Sequence, residues 1–206
     1  MQLVAIIDCG SGNVRSVDNA FKSIDVKTKV CRDWDDLNKA SHIVLPGVGA
    51  FAHGMNQLKS LSLIDSLERL ALRKGVPFLG ICVGHQMLAS YGYEFEKIEG
   101  MGWIDGKVKK VDIRNSDNKL PHVGWNNVSI TQPSPLFSDI PVDPCFYFVH
   151  SYHFIPDNKA LITSVCEHGS KVTASIQKDN IFGVQFHPEK SQSAGLQLLK
   201  NFSNFN

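Results

Sequence analysis

The stretch Val76-Pro-Phe-Leu-Gly-Ile-Cys-Val-Gly-His-Gln-Met-Leu88 constrains the fold of this chain more than any other. It reads as a buried strand, a sharp turn and a helix, with Cys82 at the turn. The spacing Gly80-x-Cys82-x-Gly84 is that of a nucleophile elbow, written with a thiol in place of a hydroxyl. So tight a turn lifts one side chain out of the fold. Glycines two residues to either side let neighbouring backbone pass without a Cβ clash. The helix that follows would point its free N–H groups and positive dipole end at the sulfur and favour thiolate. The plain alternative is a buried structural cysteine, a common fate of a free thiol. An elbow becomes a catalytic site only with a base.

The N-terminal half builds a parallel sheet around that elbow. Leu3-Val-Ala-Ile-Ile7 is a continuous apolar run, as expected of a central parallel strand covered on both faces. After the turn Asp8–Asn13, residues Val14, Val17, Ala20, Phe21 and Ile24 recur at helical spacing. Val26–Cys31 reads as a second strand, Trp34-Asp-Asp-Leu37 as a helical turn and His42-Ile-Val-Leu-Pro46 as a third strand. Over 62–74, Leu63, Ile64, Leu67, Leu70 and Ala71 form one helix face opposite Glu68, Arg69, Arg73 and Lys74, and Gly75 caps it. This β-α-β-α-β-α order with short connections predicts an α/β, doubly wound parallel sheet.

From Glu94 to Gln185 helical periodicity lapses. The runs 108–113, 124–130, 145–149, 161–165 and 172–176 read as strands separated by turn residues. They are expected to add antiparallel strands beside the sheet, or a small second sheet. Ala194–Phe202 reads as a terminal amphipathic helix. With no linker, repeat or low-complexity tract in 206 residues, one domain spanning 1–206 is the expectation.

Charge and cysteine usage narrow the function. A net charge of +1 gives no electrostatic case for a nucleic-acid partner. No apolar run approaches the roughly 20 residues that span a bilayer, and the N-terminus lacks the layout of a secretory signal. The five cysteines Cys9, Cys31, Cys82, Cys145 and Cys166 are odd in number and form no C-x-x-C pair. That argues against a disulfide framework and a structural zinc site, and suits a reducing cytoplasm.

A base for Cys82 stands near the C-terminus, in Gly183-Val-Gln-Phe-His187-Pro188-Glu189. Residues i and i+2 of an extended chain point the same way. Glu189 can thus orient the His187 imidazole, which in turn faces Cys82 and moves the proton. A zinc site built from Cys82, His187 and Glu189 is a weaker option, because no fourth ligand falls in a known pattern. Pro46-Gly-Val-Gly49 is a glycine loop at the C-terminal end of a parallel strand, where α/β sites lie. It can offer backbone N–H groups to an anion, yet lacks the Lys-Ser/Thr of a phosphate loop. Gly10-Ser-Gly12 resembles a dinucleotide turn only superficially, since Arg15 stands where the third glycine belongs.

Gly80-Ile-Cys-Val-Gly-His-Gln86, Pro46-Gly-Val-Gly49 and Phe186-His-Pro-Glu-Lys190 together resemble the class I, triad-type glutamine amidotransferases. Three further stretches narrow the likeness: Pro121-His-Val-Gly-Trp-Asn126, Tyr147-Phe-Val-His-Ser-Tyr152 and Gln177–Gln185. These are similar to the glutaminase subunits of imidazole glycerol phosphate synthases. The resemblance implies a flavodoxin-like fold with a mostly parallel sheet, and a nucleophile Cys82 with His187 and Glu189 as base and orienter. It implies oxyanion donors from the backbone of Val48 and Val83. Gly49, Gln86, His150, Ser151 and Tyr152 would bind glutamine, and no cofactor or metal is implied. The implied partner is a (β/α)₈ cyclase subunit, which receives ammonia for histidine biosynthesis within a cytoplasmic heterodimer. Glutamine hydrolysis would be low until the partner's substrate binds, with the peptide at Gly47-Val48 as the switch. The runner-up readings are a paralogous glutaminase serving another synthase, such as a sugar-amidating one, and a non-catalytic thiol scaffold. One residue departs from the subunit's pattern: His85 stands where the subunit usually has methionine, whereas histidine is common there in other class I glutaminases. It reads either as a packing residue or as a titratable group that tunes Cys82.

Overall fold

The computed structural model describes residues 2–10, 13–114 and 116–205. Ser11 and Gly12 of the first glycine turn lie outside them. The first strand, β1 (Val4–Ile7), is buried at all four positions, as its unbroken apolar run requires. Helix α1 (Val14–Lys22) follows, burying Val17, Ala20 and Phe21. Strand β2 (Thr28–Cys31), the short helix α2 (Trp34–Leu37) and strand β3 (His42–Gly47) come next. The third strand thus runs one residue further than the sequence suggests and takes in Gly47.

Helix α3 (Phe51–Ser60) is an addition to the sequence reading. Its buried residues Phe51, Gly54, Met55 and Leu58 fall at i, i+3, i+4 and i+7, a full helical period. The amphipathic segment over 62–74 is helical as expected: α4 (Ile64–Glu68) widens into a π turn over Arg69–Arg73. Gly75 ends it with φ +70°. Asn180 Nδ2 then donates to the carbonyls of Ala71 and Val76 at 2.9 Å each, tying this exit to the sheet.

Strand β4 (Phe78–Cys82) carries the elbow, and α5 (Val83–Gln86) follows it. Here the structure corrects the sequence reading, since the elbow helix is a single turn. One turn sums few peptide dipoles, so its pull on the sulfur is small. The chain then passes into β5 (Ala89–Tyr93) and β6 (Lys97–Glu99), which pair antiparallel. Strands β7 (Ile104–Lys110), β8 (His122–Asn127), β9 (Ser129–Ile130), β10 (Cys145–His150) and β11 (Tyr152–Pro156) come next. They are followed by β12 (Ile162–Glu167), β13 (Lys171–Lys178), β14 (Ile181–Val184) and helix α6 (Gln192–Ser203).

The main sheet has eight strands in the order β2-β1-β3-β4-β14-β13-β12-β9. The five from β2 to β14 run parallel, and the remaining pairings are antiparallel. Both outcomes expected of the C-terminal half occur: strands extend the main sheet, and β11-β7-β5-β6 form a second one. Strands β8 and β10 make a separate two-stranded ribbon. Helix α6 buries Leu198, Leu199 and Phe202 and packs beside α1. Cys82 and Gly47 are paired residues at the C-terminal ends of adjacent parallel strands, where such sheets place their sites.

Candidate active site

Cys82 adopts φ 55° and ψ −109°, a backbone conformation that a residue with a side chain rarely takes. The strain is held by close packing around the turn. A Cβ on Gly84 would lie 1.8 Å from the carbonyl oxygen of Leu45, and one on Gly80 would lie 2.6 Å from that of Gly84. The glycines on either side of Cys82 are therefore required by contact, as the elbow spacing implies.

His187 is buried to 1% exposure, and its Nδ1 lies 2.8 Å from Oε1 of Glu189, whose side chain has no exposed surface. The route to this pairing differs from an extended i, i+2 arrangement. Strand β14 stops at Val184, and Pro188–Lys190 form a 3₁₀ turn that brings the carboxylate under the ring. The His187 backbone is fixed on two sides. Its N–H donates to the Tyr147 carbonyl at 2.8 Å, and its carbonyl accepts from the Ser191 hydroxyl at 2.6 Å. Asn13 Nδ2 donates to the same Oε1 of Glu189.

Because the carboxylate fixes the proton on Nδ1, neutral His187 keeps Nε2 free to accept one. Burial alone would lower the His187 pKa. Hydrogen bonding to Cys82 and Glu189, with their charges, overcomes this and raises it to about 10. Nε2 has no hydrogen-bond partner of ordinary geometry among the described residues.

Cys82 opens into a pocket of about 450 Å³. Its walls include Val48, Gly49, Val83, Gln86, His150, Ser151 and Tyr152, so every oxyanion and glutamine-binding residue expected from the sequence meets Cys82 there. Val83 opens α5, so its N–H lies outside the helical ladder. Gly49 has φ +91°, which lets the chain turn across the pocket mouth. A larger hollow of about 820 Å³ lies beside Trp125, Val142, Cys145 and Ser191–Ala194, with no thiol–imidazole pair in its walls.

Sequence reasoning missed several residues of the site. Glu94 lines the pocket and its Oε2 accepts from the Phe51 N–H at 2.9 Å. Its carbonyl takes the Tyr152 hydroxyl at 3.0 Å. Pro121 and Val149 add apolar wall. Gln185, with no exposed surface, reaches the sulfur: its Nε2 is 3.7 Å from Cys82 Sγ. No local pattern marks these positions, because each arrives from a different element.

His85 is absent from the pocket wall. Its ring is fully buried, 5.5 Å from Phe154, and so close to Gly183 that a Cβ there would come within 2.2 Å of Nδ1. Burial, and then the charge of His153, lower its pKa to about 3. It is neutral and packs the elbow onto β14, in agreement with the packing reading. Among the described residues no group of three or more His, Cys, Asp or Glu side chains is arranged to hold a metal ion.

Residues 5–204 match the family Glutamine amidotransferase class-I. The chain belongs to this family. It is 43% identical over 205 residues to the "Imidazole glycerol phosphate synthase subunit HisH" of Pelagibacter ubique, covering 98% of this chain and 99% of that one. The subunit of the same name from Zymomonas mobilis is 45% identical over 208 residues, covering 98% and 96%. Among solved structures, a glutamine amidotransferase superposes with a TM-score of 0.74 at 15% identity, covering 97% of this chain and 96% of that one. A glutamine amidotransferase from Thermotoga maritima gives 0.68 at 18%, covering 99% of each chain. These structural likenesses establish the class I amidotransferase fold.

Proposed function

We propose that this chain is the glutaminase subunit of an imidazole glycerol phosphate synthase, built as a single amidotransferase domain. It hydrolyses glutamine and delivers the ammonia to a (β/α)₈ cyclase subunit in histidine biosynthesis. The observation that carries the chemistry is the strained Cys82 beside an imidazole whose far nitrogen is locked by Glu189. The choice of acceptor is supported by 43–45% identity across 98% of the chain to subunits that bear this name.

Cys82 Sγ attacks the side-chain amide carbon of glutamine, and His187 Nε2 takes the thiol proton. The N–H groups of Val83 and Val48 hold the tetrahedral oxyanion, each donor worth roughly 3 kcal/mol in the transition state. His187 returns the proton to the leaving nitrogen and ammonia departs. Water, deprotonated by His187, then cleaves the thioester and releases glutamate. Gly49, Gln86 and the backbone of His150–Tyr152 seat the substrate. Glu94 supplies a carboxylate for its α-ammonium group.

Ammonium predominates at neutral pH and is not nucleophilic, so ammonia must reach the acceptor shielded from water. The ribbon β8–β10 offers a docking face beside the pocket. Trp125, Val123 and Val149 are 49%, 56% and 36% exposed, an apolar surface that the chain itself leaves uncovered. Trp125 and Tyr147 are cross-strand partners with ring centroids 5.8 Å apart.

A glutamine-dependent cyclisation assay with the cyclase subunit, run against an ammonium-salt control, tests this reading. Cys82→Ala should abolish the glutamine reaction and spare the ammonia reaction. A Cys82→Ala protein that still drives glutamine-dependent synthesis overturns the chemistry. A wild-type protein that hydrolyses glutamine yet supplies no ammonia to the cyclase overturns only the choice of acceptor.

A further inference from the structure

Around Cys82, the orientation of two buried amides is fixed by their neighbours. Gln86 Nε2 lies 2.9 Å from the Tyr152 carbonyl oxygen, which can only accept. That contact identifies the Gln86 nitrogen and fixes its flip. The same nitrogen lies 3.0 Å from an atom of the Gln185 amide, which must therefore be the oxygen. Gln185 consequently turns its own nitrogen to Cys82 Sγ, at 3.7 Å. Its backbone is equally constrained, with its N–H donating to the Ala174 carbonyl at 2.8 Å. A fully buried amide with both ends committed has no freedom to turn away from the sulfur.

We propose that Gln185 is a further residue of the reaction centre, donating its side-chain N–H to the Cys82 sulfur and stabilising the thiolate. This rests on Cys82 being the nucleophile. A hydrogen bond to an ionised acceptor is about twice as strong as one between neutral groups. The amide thus favours charged sulfur twice in the cycle. It does so before attack, when the thiol proton has passed to His187. It does so again in deacylation, when the carbon–sulfur bond breaks and the electron pair returns to Sγ. The single-turn α5 offers little help to this charge, and Gln185 supplies a side-chain donor at 3.7 Å. Gln86, Gln185 and Cys82 form one chain that begins at the backbone carbonyl of Tyr152, a wall of the glutamine pocket.

The test is the pH profile of Cys82 alkylation by iodoacetamide, read by peptide mass spectrometry on the full chain. Cys145→Ser provides the background, since Cys145 is the exposed cysteine and the other four are buried. The ionisable group acting on Cys82 is His187, backed by Glu189, and both stay in place. Gln185→Met keeps the length and removes the N–H. Its profile should move to higher pH, with alkylation about tenfold slower at neutral pH. Gln185→Glu, which puts an acceptor against the sulfur, should slow it further. In the complex with the cyclase, kcat for glutamine should fall in step while KM moves by less than about twofold. A folded Gln185→Met protein, judged by its melting temperature, that alkylates like wild type overturns the proposal.

If neither variant folds, the Gln185 side-chain amide is followed by NMR in otherwise wild-type protein labelled with ¹⁵N-glutamine. Its resonance should titrate with the thiol and lose that titration in Cys82→Ser. A resonance insensitive to both pH and Cys82→Ser equally overturns it. Glutamine hydrolysis surviving in Cys82→Ala defeats the nucleophile reading itself. A dead Cys82→Ala with an unperturbed Gln185→Met defeats only the role of Gln185.

Discussion

Asn13 and His187 share one carboxylate oxygen: Oε1 of Glu189 accepts from the Asn13 amide and from Nδ1 of the imidazole. Asn13 sits at the start of α1 with φ 67°, so the turn after the first strand reaches across to the last residue of the triad. Asn13→Ala should leave Glu189 less well held and lower kcat about tenfold with little change in KM. Asn13→Asp, placing a second carboxylate against Glu189, should lower it further. Steady-state kinetics with the cyclase present decide this, and an unchanged kcat in Asn13→Ala would show that Glu189 needs no such support.

Glu94→Gln should raise KM for glutamine by about tenfold or more, with a smaller effect on kcat. The amide oxygen still accepts from the Phe51 N–H, so the start of α3 is preserved. A KM within twofold of wild type, in a protein of normal melting temperature, would remove Glu94 from the substrate's α-ammonium site.

Trp125→Ala should weaken binding of the cyclase by at least about tenfold, the loss expected when a central aromatic anchor is truncated. The side chain is half exposed, so the melting temperature of the isolated chain should stay close to wild type. Titration calorimetry against the cyclase reads the affinity directly. Equal affinity would move the docking face off the β8–β10 ribbon.

Gly84→Ala should be among the most damaging single-carbon changes in the chain. The new methyl group meets the Leu45 carbonyl at 1.8 Å in a buried turn with no flexible neighbour to give way. Overpacking of this severity is expected to cost more than about 3 kcal/mol. Urea unfolding would register it, or soluble protein would be lost altogether.

Stability should fall as pH drops below neutral. Burial and neighbouring charges hold His85 and His150 down to about 3, and His122 and His153 down to about 4. An unfolded histidine titrates near 6.5. For a lowered folded value, the contribution is complete above the unfolded pKa and is lost as pH falls through the window down to the folded one. His187, raised, acts in the reverse sense, its contribution being lost only as pH climbs above 6.5. Melting temperatures from about pH 6.5 down to about pH 5 should therefore decline, and less steeply in His122→Gln. A flat profile over that range would contradict neutral burial of these rings.

The triad was legible because each member sits in a local pattern: flanking glycines mark Cys82, and His-Pro-Glu marks its partners. The parallel half of the sheet was legible for a similar reason, since unbroken apolar runs have few other uses. Helix α3 was hidden although Phe51, Gly54, Met55 and Leu58 carry its period, because Gly49, Gly54 and His53 give the segment the look of a loop. The elbow helix was overread: Met87 and Leu88 continue the apolar texture, yet the chain turns into β5. Glu94, Asn13 and Gln185 could not be found by pattern. Each contributes one atom from an element whose approach is set by tertiary packing, which has no signature in sequence spacing.

The ribbon of β8 and β10 has two working faces. Val123, Trp125, Tyr147 and Val149 point outward, and His122, His150, Phe146 and Phe148 point inward. On the inner face, Asn126 Nδ2 contacts His122 at 3.2 Å, His122 contacts His150 at 2.9 Å, and His150 contacts the Tyr152 carbonyl at 2.9 Å. Alternation along a strand makes these faces inseparable, because neighbouring residues share one backbone. A chimera meant to give this chain a new partner can exchange outward side chains singly, but any change in the length or register of the ribbon moves the pocket at Cys82 with it. The transplantable unit is the whole ribbon, together with the Gly-Trp-Asn and Val-His-Ser-Tyr backbone that joins recognition to chemistry.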